Sequence, residues 1–186
     1  PDLSIRPPKR TEPMVRLTPD EFKACLKRER MRFQKGLLAL LRSPGTQAAQ
    51  DGLAQMQEAL RAIEATQETP AARNFWWVSQ GLLDALSDQG VAAEQEVKQL
   101  CARIDLQIRR LLEGSRNVAE RLLRDALFYI GQSSASAGKG IAATVRSSFQ
   151  LEALIPKGEA IQTTQPQEVA LRRLREVILA TEEFWN

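Results

Sequence analysis

Apolar residues in this chain recur at spacings of three, four or seven, and no stretch alternates apolar with polar. Such spacing lines up one face of an α-helix, whereas a half-buried strand needs a period of two. Phe22, Leu26, Phe33, Leu37 and Leu40 form the first stripe, which ends at Ser43-Pro44-Gly45. Its start is written just as clearly. Thr18-Pro19-Asp20-Glu21 places a capping Thr before a Pro at the first helical position, with Glu three residues on to close a capping box.

The same pattern repeats along the chain. Leu53, Met56, Leu60 and Ile63 predict a helix over about residues 46–66. Thr69-Pro70 opens another, carrying Phe75, Val78, Leu82, Leu83 and Leu86 and stopping near Gly90. From about Ala92 to Glu113, Val97, Leu100, Cys101, Ile104, Ile108, Leu111 and Leu112 share a face, with Gly114 as the stop. Val118, Leu122, Leu123, Ala126, Leu127 and Ile130 mark a shorter helix, expected near the centre of the core. Residues 131–140 read as a flexible connection, and helices are expected at about Ile141 to Ala153 and Gln167 to Phe184.

About seven antiparallel amphipathic helices joined mostly by short loops predict an all-α bundle without a sheet. Residues 1–16, with Pro1, Pro7, Pro8 and Pro13 among basic and polar residues, read as an extended linker before a single helical domain at 17–186. A start at Pro1 instead of Met is what a piece of a longer polypeptide would show.

The sequence contains no histidine. That removes Ser-His and Cys-His nucleophiles, a His general base, a His metal ligand and a phosphohistidine acceptor. Cys25 and Cys101 lie far apart and make no Cys-x-x-Cys pair, so neither a zinc site nor a redox motif is written, and both are expected to pack as small apolar residues. Gly131 to Gly140 resembles a phosphate-binding loop only superficially, because its spacing is wrong and Gly140 stands where a hydroxyl residue is required. Asp84 with Asp88, and Glu94 with Glu96, read as solvated carboxylates and not as acid/base pairs. No catalytic residue, cofactor or metal site is expected. No apolar run reaches the ~18 residues of a membrane span, and the polar start lacks the core of a signal peptide, so a cytoplasmic protein is expected.

Charge is unevenly placed. Residues 1–42 carry 11 Lys/Arg against 5 Asp/Glu, while residues 43–102 carry 3 against 8. The two blocks can attract one another inside the fold, which weakens any inference from pI to nucleic acid. Lys23, Lys27, Arg28, Arg32 and Lys35 fall opposite the first apolar stripe as a basic face without the interleaved aromatics that stack on bases, so no nucleic acid partner is expected.

Two features point to protein partners. Phe75-Trp76-Trp77 sweeps roughly 200° of a helix surface, wider than one core-facing stripe. Either the rings pack between two helix layers, or Trp76 or Trp77 is a half-exposed interface anchor. Arg109-Arg110, with Arg103, Arg116, Arg121 and Arg124 nearby, makes a second basic concentration. Most of it is expected to pair with Asp105, Glu113, Glu120 and Asp125 at helical spacings, leaving some free for an acidic partner surface.

With these residues in view, the run from Val97 through Leu100-Cys101-Ala102-Arg103-Ile104-Asp105 to Leu111, followed by Ala119 to Asp125, resembles the middle helical region of FimL-type scaffold proteins. It equally resembles the N-terminal, non-kinase region of the CheA-like hybrid histidine kinases of type IV pilus chemosensory systems. Phe75-Trp76-Trp77 and Val145 to Ile155 fit the same pattern. The resemblance implies a bacterial cytoplasmic interaction domain in pilus-driven surface motility, possessing as partners a response regulator or a polar assembly protein. It carries over no site residue, and it leaves open a regulatory fragment of a hybrid kinase whose catalytic domains lie elsewhere.

Overall fold

Thr18 caps the first helix as its sequence context predicts. In the computed structural model, which describes residues 14–87, 95–132 and 140–149, its hydroxyl accepts from the Glu21 N–H at 3.3 Å and the Glu21 carboxylate accepts from the Thr18 N–H at 2.8 Å. This reciprocal pair satisfies two of the donors that a helix start leaves open. Helix α1 then runs Pro19–Arg42.

Among the described residues five more helices follow: α2 (Gln47–Ala65), α3 (Pro70–Ser87), α4 (Gln95–Leu112), α5 (Glu120–Gln132) and α6 (Ile141–Ser148). Thr46 caps α2 by accepting from the Ala49 N–H, and Thr69 does the same for Ala72 in α3. Gly114, at φ +96°, stops α4, and the next N–H, of Ser115, bonds back to the Arg110 carbonyl at 2.9 Å. Among the described residues there is no strand, and the chain is an all-α bundle. The helix expected at Gln167 to Phe184, and the central part of the connection expected at 131–140, lie outside the described residues. Gly131 and Gln132 themselves belong to α5.

The centre of the bundle is α3, not α5. It packs against α2, α5 and α6, and buries thirteen of its eighteen residues, whereas α5 buries only Leu122, Ala126, Ile130 and Gly131. Polar Arg73, Asn74 and Gln80 interrupt the apolar pattern of α3 yet are buried with it. The Gln80 amide donates to the Glu64 carboxylate at 2.6 Å, both side chains being almost fully enclosed, whereas the Asn74 amide has no hydrogen bond among the described residues.

Helices α1 and α2 meet backbone to backbone where Gly36 faces Gly52. A β-carbon on Gly52 would lie 2.6 Å from the Gly36 carbonyl oxygen, a separation that real side chains do not adopt. Only hydrogen at both positions permits the approach. On its other flank α1 contacts α4, fixed by a two-pronged bond from Arg30 to Asp105, with both N···O distances 3.1 Å.

Asp105 therefore pairs across helices with the basic first block instead of with an arginine of its own helix. Arg103 likewise reaches Asp125 on α5 at 2.8 Å, while Arg109 to Glu113 at 3.0 Å is the expected i,i+4 pair. Asp84 is not simply solvated. It leans across from α3 to accept from the Ala142 N–H at 2.9 Å, supplying the start of α6 with the cap that Gly140 lacks.

Candidate functional site

Helix α4 ends at Arg110-Leu111-Leu112, and the chain turns through Gly114 into the irregular segment Ser115–Ala119. That turn carries Arg116 and Asn117 back beside the last turn of α4 and the first of α3. The result is a crevice with about 20 Å³ of free space. Gln67, Gln107, Arg110, Ser115, Arg116 and Asn117 supply its polar lining, and Phe75 and Trp76 are among its apolar walls. These two rings meet edge to face, with centroids 4.9 Å apart.

The polar lining is poorly satisfied from within the chain. Gln107 is 9% exposed, and its side chain has no hydrogen bond among the described residues. Among the described residues, exposed Arg110 forms no ion pair, and Arg116 lies over the Phe22 ring at 5.2 Å without a carboxylate partner. Arg103 and Arg109, by contrast, are both paired.

The structure therefore brings together Trp76 and Arg110, two of the four residues singled out from the sequence, and separates the others. Arg109 turns to Glu113. Trp76 and Trp77 are each only 4% exposed, so of the two alternatives the rings pack between helix layers and neither is a half-exposed anchor. The reason is the central position of α3, which is covered on more sides than a single stripe requires. Gln107 was not foreseen: one polar residue at the border of an apolar stripe reads as solvated, and only the fold shows it enclosed.

Two other surfaces stand out. Lys23, Lys27, Arg28, Arg32 and Lys35 are exposed as expected, but Met31, Leu38 and Leu41 are interspersed with basic side chains on α1, at 60%, 45% and 45% exposure. A shallow apolar groove of about 440 Å³ lies between the start of α1 and the end of α2, lined by Val15, Leu17, Ala24, Cys25, Ala62 and Ala65. The Val15 N–H donates to the Ala65 carbonyl at 2.7 Å, holding the incoming chain against that groove.

Neither cysteine is set up as a nucleophile. Burial raises both thiols, and that of Cys101 is pushed up to about 12 from an ordinary 9.0. A thiol raised on folding leaves stability untouched below the unfolded value of 9.0. Above it the unfolded chain releases a proton that the folded chain keeps, so stability is lost towards pH 12 by up to ~1.4 kcal/mol per pH unit. Urea midpoints between pH 9 and 10 are expected to fall less steeply in Cys101→Ala than in the parent, by about 1 kcal/mol. Equal slopes would show that Cys101 does not titrate this way.

Among the described residues no group of three or more Cys, Asp or Glu is placed to hold a metal ion, and no helix is long and apolar enough to cross a membrane. Residues 18–162 match the model of the FimL scaffold protein second domain, which covers well over half of the chain. The chain belongs to the FimL family. No curated protein and no solved structure gives a match. A FimL second domain is a scaffold element without catalysis of its own, acting through protein contacts in a pilus-related pathway. The matched span begins on Thr18, the capping residue of α1, and includes every residue of the crevice.

Proposed function

We propose that this FimL second domain is the interaction module of a type IV pilus chemosensory protein that controls twitching motility. It works in the cytoplasm, at the cell pole, where it binds a response regulator or a polar assembly protein. The family match over residues 18–162 carries this reading. The crevice at the end of α4 and the mixed apolar and basic face of α1 support it, because both offer contact chemistry on a rigid helical frame.

Affinity capture from an extract of piliated cells, with the folded 186-residue chain as bait, tests the proposal. Recovery of a pilus-signalling protein is expected, and recovery of none contradicts it. The likeness of Val97 to Asp125 to the N-terminal region of hybrid kinases favours a second reading, a regulatory fragment of such a kinase. An ATP-binding domain encoded further along the parent reading frame would select it.

A further inference from the structure

We infer that the crevice at the end of α4 is the receptor for a single acidic side chain, an Asp or Glu carboxylate presented by a partner protein. The inference rests on the scaffold reading and names the chemistry of the partner. Gln107 is the first ground for it. Its amide lines the crevice, makes no hydrogen bond among the described residues and still reaches solvent there, so its N–H is open to an incoming carboxylate oxygen.

The second ground is charge. Arg110 and Arg116 line the same crevice, and among the described residues neither has an ion-pair partner, although Arg103 and Arg109 on α4 both do. A guanidinium offers parallel N–H donors that match a carboxylate, and the low-dielectric wall of Phe75 and Trp76 keeps such a bond from being fully screened.

Size is the third. About 20 Å³ holds roughly one water-sized group, far below the ~300 Å³ or more of a small-molecule pocket. A side-chain tip needs no more, since the rest of the binding energy comes from the protein surface that carries it. The site is therefore matched to a residue and not to a free metabolite.

Titration of the ¹⁵N-labelled 186-residue chain with acetylated tetraglutamate, and separately with acetylated tetraglutamine, tests the proposal. Tetraglutamate is expected to shift the Gln107 side-chain amide and the Trp76 indole saturably at millimolar concentration, and tetraglutamine is expected to leave both in place. Arg110→Ala combined with Arg116→Ala, at an unchanged urea midpoint, is expected to weaken tetraglutamate binding about fivefold or more. Equal shifts with tetraglutamine, undiminished binding by the double variant, or no shift up to about 10 mM peptide would overturn the proposal. Should the double variant capture the same pilus-signalling protein as the parent chain, the crevice assignment falls and the scaffold reading stands. Should the parent capture none, the scaffold reading falls and the peptide titration still decides the crevice.

Discussion

Gly36→Ala is expected to destabilise the fold by about 2–3 kcal/mol, although the same exchange in an exposed helix stabilises by about 1 kcal/mol. The new methyl would fall against the Gly52 carbonyl oxygen and 2.7 Å from the Met56 Cγ. A flexible side chain can turn aside, but a helix carbonyl cannot. Helices α1 and α2 would have to separate, drawing Leu53, Met56 and Leu60 out of the close packing they share with Phe33 and Leu40. Gly52→Ala is expected to behave in the same way, because its β-carbon meets the Gly36 carbonyl and the Ala39 Cβ at 3.1 Å. Urea denaturation at neutral pH is the measurement. A midpoint equal to or above that of the parent chain would mean that the two helices do not meet at these residues.

Phe33→Ala is expected to have a larger effect, about 4–5 kcal/mol, near the upper end for removal of a buried aromatic ring. Phe33 is fully enclosed and lies one turn before Gly36 on the same face of α1. The size of the loss depends on whether the surroundings can collapse into the cavity. Here they cannot readily do so, because the backbones at Gly36 and Gly52 are already in contact and hold the two helices at a fixed spacing. A domain of this size has only ~5–15 kcal/mol of stability, so the variant should be partly unfolded at physiological temperature. A loss below about 2 kcal/mol would show that α1 moves to fill the space, and that the glycine contact does not set the helix separation.

These two residues also show where the sequence was legible. The stripe containing Phe33 has the period of a helix and was readable directly, as were the cap at Thr18 and the stop at Gly114, because each depends on neighbours a few residues away. Gly36 and Gly52 depend on one another across a helix pair, and nothing in either local sequence announces the register that brings them together. The same limit explains the charges. Arg109 to Glu113 is a local spacing and was foreseen, whereas Arg30 to Asp105 joins α1 to α4 across 75 residues.

The candidate site divides along the same line. Arg110 was visible as part of a basic concentration, but its lack of an ion pair among the described residues, and its place beside Trp76 and Gln107, come from the turn that folds Arg116 and Asn117 back onto α4. The aromatic run was visible too, yet the exposure of Trp76 and Trp77 was decided by how many helices cover α3, which no single-helix pattern encodes.

Affinity capture from piliated cells, with the parent chain and the Phe33→Ala variant run side by side, tests the scaffold account most directly. The account predicts that the folded parent chain retains a pilus-signalling protein and that the partly unfolded variant, loaded in equal amount, retains much less of it. A folded parent chain that retains no such protein, or a variant that retains as much, would contradict an interaction domain whose binding surface is built by this fold.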